Sequence, residues 1–133
     1  MMRRSVRVHS SGGPTEAELE WTEHPPWRVV LRIPGMDPLQ ASADDLFGCL
    51  TAVRLEAEQE GWKVCVAGAR TDAWPSRMSS QMGGAALIYI HRIGLPARDG
   101  DLCPIFADAP CDAIGSVEDQ NQFREVWLES LRK

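Results

Sequence analysis

The sequence predicts an α+β domain. It reads as a two-layer sandwich in which a mainly antiparallel or mixed sheet of four or five strands carries helices on one face. Three observations predict it. Residues 16–33 alternate in two runs around a proline-containing break, residues 43–60 repeat apolar side chains at helical spacing, and residues 117–131 do so again. The element order is hairpin, helix, two strands, helix.

Val6 and Val8 alternate with polar neighbours and predict a short edge strand. Ser10-Ser11-Gly12-Gly13-Pro14 reads as a turn, and residues 1–15 are a candidate flexible lead. In the first alternating run Ala17, Leu19 and Trp21 face one way and Glu18, Glu20 and Thr22 the other. His24-Pro25-Pro26 interrupts it. Trp27, Val29, Leu31 and Ile33 then alternate with Arg28, Val30 and Arg32. A register centred on the break sets Glu18 opposite Arg32, Thr22 opposite Arg28, Trp21 opposite Val29 and Leu19 opposite Leu31.

Pro34 to Pro38 is a turn. Ser42 is placed to cap a helix over residues 43–60, with Asp44 and Asp45 in its first turn. Leu46, Leu50, Val53 and Ala57 form its apolar stripe. Gly61 suits the position just past its end, with Trp62 folded back over the last turn. Lys63 to Gly68 predicts a buried strand. Trp74-Pro75 can open a short helix with Pro75 at its first position, ended by Gly83-Gly84. Ala86 to Arg92 predicts a further strand, and residues 94–115 are loop-rich. Ser116-Val117-Glu118-Asp119 resembles a capping box, followed by a helical face of Phe123, Val126, Trp127, Ser130 and Leu131.

With 133 residues, 44% of them hydrophobic and 25% charged, the chain has the size and composition of a single globular domain over residues 1–133. The formal net charge of −5 argues against a nucleic-acid partner, because neutralising phosphates needs a basic face. No apolar run has membrane-spanning length, and the basic start at Met1–His9 passes into alternation rather than an apolar core. A cytoplasmic location is therefore expected. Cys49, Cys65, Cys103 and Cys111 fit it as thiols, with Cys49 and Cys65 read as buried and Cys103 and Cys111 as unrelated loop residues. The spacing between Cys103 and Cys111 matches no zinc knuckle, so neither a metal nor a cofactor is expected. The charge is uneven: residues 70–100 carry +2, while 36–69 and 101–133 carry −4 each.

That basic stretch holds the candidate binding residues Arg70, Asp72, Trp74, Ser76, Arg77, Tyr89 and His91. Arg70 and Arg77 beside a helix start could hold an anion. The plainer reading pairs Arg70 with Asp72 to fix a turn, puts Trp74 and Met78 in the core, and leaves His91 as a partly exposed polar residue at a strand end. Ser76, His91 and Asp72 could be drawn as a nucleophilic triad, but Ser76 lacks the Gly-x-Ser-x-Gly elbow. No catalytic residue is assigned. Glu118, Asp119, Glu125 and Glu129 read as a solvated face or as a docking surface that steers a basic partner.

A wider motif order is also present: Ala43-Asp44-Asp45-Leu46-Phe47-Gly48-Cys49-Leu50, then Gly68-Ala69-Arg70-Thr71-Asp72-Ala73-Trp74-Pro75-Ser76, then Met78, Met82-Gly83-Gly84, Tyr89, and Asp101-Leu102-Cys103-Pro104-Ile105-Phe106. Over about residues 27–131 this resembles a group of short, uncharacterised bacterial proteins. The resemblance implies no stated activity. Small acidic proteins of this kind include immunity proteins that neutralise a toxin, so a protein partner, such as a co-encoded toxin, is the expectation. Arg77 stands where that pattern has glycine, which would alter a tight turn after Ser76. Two further readings are a small enzyme or anionic-ligand-binding domain using residues 70–92, and a subunit of a larger assembly anchored by exposed Trp or Met.

Overall fold

The computed structural model describes residues 1–132. The larger sheet holds β1 (Met2–Ser10), β2 (Gly13–Trp21), β3 (Trp27–Arg32), β4 (Leu39–Ala43) and β5 (Lys63–Val64). Their order is β4-β3-β2-β1-β5, and every pairing is antiparallel. A second sheet, absent from the sequence reading, joins β6 (Ala73–Trp74), β7 (Leu87–Ile90) and β8 (Leu102–Pro104), with β7 in the middle. The helices are α1 (Leu46–Gln59), α2 (Arg77–Gly83) and α3 (Val117–Ser130). The fold is α+β, as the sequence predicts.

The β2–β3 hairpin has the expected register, with Glu18 opposite Arg32, Leu19 opposite Leu31 and Trp21 opposite Val29. Its inner face continues through Val6 and Val8 and buries them with Ala17, Leu19, Val29 and Leu31. On the outer face Arg32 prefers the diagonal carboxylate. Its Nε lies 2.9 Å from Glu20 and 3.8 Å from Glu18. Arg3 reaches Glu20 from the other side at 3.3 Å. Arg32 and Arg3 together hold the Glu20 carboxyl below its ordinary range.

The N-terminal segment departs from the sequence reading. β1 is not a short edge strand after a flexible lead. It pairs along nine residues with β2, and Val8 and His9 pair with β5 on its other side. Alternating Arg and Val with no glycine or proline before Gly12 lets it extend as far as β2 does.

β4 occupies residues read as the approach to a helix. Ser42 lies in its ladder opposite Arg28, so Asp45 caps α1 instead, accepting from the Gly48 N–H at 2.7 Å. The far end of α1 matches expectation. Gly61 takes φ +81°, its N–H donates to the Glu58 carbonyl, and the Trp62 N–H donates to Ala57 at 2.9 Å. α1 packs its Leu46, Leu50, Val53 and Ala57 stripe on β3, β4 and β5.

The buried segment after α1 is a strand for only two residues. Beyond Val64 its backbone changes partners. Cys65 donates to the Arg7 carbonyl, whereas Ala67 and Gly68 donate to Ala107 and Ile105 at 2.8 and 2.7 Å. A 3₁₀ turn at Ala67–Ala69 follows. A side chain on Gly68 would strike Ile105 and Leu50, so glycine is required there by packing.

Cys65 and Cys111 form a disulfide across 46 residues, with Cα atoms 5.0 Å apart. Neither is the free thiol the sequence reading assigned. The bond ties the buried segment after β5 to the loop before α3. Cys65 therefore no longer supports a reducing compartment. No helix among the described residues is long and apolar enough to cross a membrane.

α3 begins with the expected capping box between Ser116 and Asp119. Its inward face is rotated from the expected one. Val117, Gln120 and Trp127 are buried, while Val126 and Leu131 are exposed. The reason is polar pairing, since the Gln120 side chain finds four partner atoms inside the fold, described below.

Candidate functional site

The stretch from Gly68 to Trp74 is held by side chains rather than by a ladder. Gln120 donates its amide to the carbonyls of Gly68, Arg70 and Ala73 at 2.9, 2.8 and 3.1 Å. Its Oε1 accepts from Arg54 Nη1 at 2.7 Å. Arg54 Nη2 also donates to the carbonyls of Gly115 and Ala69, at 3.0 and 3.3 Å. Arg54 is only 2% exposed. Burial lowers its pKa to about 10, while the nearby Glu58 carboxylate acts in the opposite direction. Glu58 in turn accepts from the Val117 N–H at 2.9 Å. This buried network joins α1, the 68–73 stretch and the start of α3.

On that frame the expected Arg70–Asp72 pair forms a bidentate contact at 2.8 and 3.0 Å. Asp72 raises the Arg70 pKa, partly offset by burial. The Asp72 carbonyl accepts from the His91 N–H at 2.8 Å, and Trp74 pairs with Tyr89 across β6 and β7. Trp74, Tyr89 and His91 are therefore brought together by two short strands.

His91 is 5% exposed, not a partly exposed strand end. Its ring stacks on Trp127 with centroids 3.7 Å apart and planes 19° from parallel. Tyr89 lies 6.0 Å away on the same stack. The Arg124 guanidinium sits 5.4 Å from the Trp74 centroid and 5.2 Å from that of Trp127. Its Nη1 is 3.3 Å from His91 Nε2. A guanidinium only donates, so Nε2 accepts and the ring proton belongs on Nδ1. Nδ1 is buried and has no partner.

Burial first, and Arg124 second, push the His91 pKa down to about 4; Asp101 and Asp72 act weakly the other way. The unfolded ring binds its proton at an ordinary pKa near 6.5, the folded ring only near 4. His91 thus leaves stability intact above pH 6.5 and subtracts from it as the pH falls from 6.5 towards 4. The expected loss over that window is on the order of 1–3 kcal/mol. Urea unfolding at stepped pH should show it, and His91→Phe should flatten that part of the profile. An equally steep profile in the variant would assign the loss to other groups.

The remaining candidates lie apart from this cluster in role. Ser76 caps α2, accepting from the Ser79 N–H at 2.9 Å. Pro75 therefore precedes the cap instead of opening the helix. Arg77 is the first residue of α2, is exposed, and makes no tight turn. Met78, expected in the core with Trp74, is 73% exposed, and Met82 is 84% exposed. α2 buries none of its residues, and Gly84 ends it at φ +63° beneath the Trp27 ring, where no side chain fits. Trp74 itself is half-buried against Phe47, with ring centroids 4.9 Å apart.

The triad drawn from sequence does not assemble. Asp72 is engaged by Arg70, His91 Nε2 meets Arg124, and the Ser76 hydroxyl is spent on its cap. The sequence reading missed Arg54, Gln120 and Arg124, and took Trp127 as plain core. Gln120, Arg124 and Trp127 stand at i, i+4 and i+7. The Ser116 capping box fixes where the helix starts, and that spacing was the available signal.

Outside the stack, a groove of about 460 Å³ runs between Trp74 and the outer side of α3. Trp74, Leu128 and Arg124 line it, and Glu118 and Glu125 stand in its walls. No protein-family profile matches the chain, and no curated protein matches it at a significant level.

Proposed function

We propose that the chain is a non-catalytic interaction module that docks a basic protein partner in the groove between Trp74 and α3. The groove carries the reading. It combines an aromatic and an aliphatic wall, Trp74 and Leu128, with the carboxylates Glu118 and Glu125. Anchors of this kind, ringed by charge, suit a protein partner. The exposed Glu118, Asp119, Glu125 and Glu129 of α3, in a chain of net charge −5, would steer a basic surface towards it. Asp72, Ser76 and His91 Nε2, the members of the one triad drawn from the sequence, are already engaged, which favours binding over chemistry. The motif resemblance adds a partner class, a co-encoded toxin that an immunity-type protein would neutralise.

The test mixes the purified chain with the products of neighbouring genes and follows association by calorimetry and size-exclusion chromatography. A complex is expected whose association rate falls as salt rises. The double charge reversal Glu118→Lys/Glu125→Lys should weaken it about ten-fold or more. Both positions are exposed, so the fold should survive the change. No complex, or one indifferent to the reversal, would remove the reading.

A further inference from the structure

A second hollow, of about 220 Å³, borders His91. Its walls include His91, Arg92, Leu95, Arg98, Gly100 and Asp101. We propose that this hollow binds a phosphate group, either free or as the end of a larger ligand.

Three observations carry the proposal. The first is the orphan donor. With Nε2 accepting from Arg124, the neutral His91 ring presents a buried Nδ1–H that no group in the protein accepts. Buried donors are nearly always paired, and one left open costs free energy until an acceptor arrives. The second is unspent positive charge. Arg98 makes no ion pair among the described residues, and Arg92 meets Asp101 only at 3.8 Å, too far for a hydrogen bond. Two guanidiniums against one carboxylate leave the walls net positive, with Arg124 directly behind the His91 ring. The third is size. The hollow falls below the usual range of pockets for drug-sized ligands, so it suits an ionic group with few further atoms.

The two guanidiniums offer more donors than the two oxygens of a planar carboxylate can take up, which favours a tetrahedral oxyanion. Asp101 faces the same space and opposes an anion, and the two arginines must outweigh it. The site expected from sequence, between Arg70 and Arg77, is not available for this role. Arg70 is bound by Asp72 and Arg77 stands on α2. The anion chemistry thus moves one step along the chain, from the start of α2 to the end of β7.

Calorimetry at low ionic strength, with inorganic phosphate as the probe and glycerol 3-phosphate in parallel, tests it. Chloride at equal ionic strength is the control. Saturable binding is expected for at least one phosphate probe. The double variant Arg92→Ala/Arg98→Ala changes only exposed residues and should lose about ten-fold or more in affinity. The His91 Nδ1–H resonance should move on titration in the unaltered chain, a response a remote site would not give. Saturation by glycerol 3-phosphate alone would support the proposal and assign the group to a larger ligand. Binding that chloride reproduces, or that survives the double variant, or that leaves the Nδ1–H resonance in place, would overturn it.

Discussion

Replacing Gln120 by Leu should destabilise the fold by about 3–5 kcal/mol. The substitution removes the donor that serves the carbonyls of Gly68, Arg70 and Ala73. It also takes from the buried Arg54 guanidinium its shortest hydrogen bond, 2.7 Å. A charge left partly unpaired in the interior costs more than the bond that was broken. Arg54→Met should therefore be milder, since it leaves only neutral acceptors unmatched. The informative comparison is the double variant. With Gln120 already Leu, removing the Arg54 charge should cost little or restore stability, so the two effects are far from additive. Urea unfolding of the four proteins measures the coupling. Additive losses would mean that Arg54 and Gln120 act independently. Gln120→Leu should also loosen the Arg70–Asp72 turn, which native-state hydrogen exchange at the Thr71 and Ala73 amides would report.

Reducing the Cys65–Cys111 bond should cost about 4 kcal/mol, because it frees a closed loop of 46 residues in the unfolded chain. For a chain of this size that corresponds to a fall in melting temperature on the order of 10–20 °C. Cys65→Ala/Cys111→Ala should melt at the lowered temperature with or without reductant, and Cys103→Ser should melt like the unaltered protein. If reductant left the midpoint of the unaltered chain in place, the bond would add nothing to stability. The unaltered chain should report the redox state of its surroundings through its melting point, which the double variant cannot do.

The elements that could be read from sequence were those with a local cause. The hairpin register follows from alternation on both sides of the break at His24–Pro26. The end of α1 follows from one glycine, and the start of α3 from a capping box. What escaped depends on partners far along the chain. β4 has no β-branched residue and reads as a helix approach until β3 is beside it. The 64–68 segment is apolar throughout, but the hydrogen bonds of Ala67 and Gly68 go to residues 105–107, which no local pattern announces. Cys111 looks like a loop thiol until Cys65 is placed. Within the site, Arg70 with Asp72 was visible at a spacing of two residues. Trp74, Tyr89 and His91 were named as candidates, but the residues that organise them come from α3. An interior Gln and an interior Arg look like surface residues in sequence, because composition gives no sign of a buried polar network.

The position of β1 between β2 and β5 has a consequence for synthesis. During translation β1 can pair with β2 once residue 21 has emerged, but Val8 and His9 on its other edge wait for Val64 and Lys63. At roughly 5–20 residues per second that edge stands open for several seconds, able to pair with a neighbouring nascent chain. Arg3, Arg4 and Arg7 lie along this strand, and their like charge opposes pairing between two such chains. The basic start of the sequence can thus be understood as protection for a strand that must wait for its last neighbour.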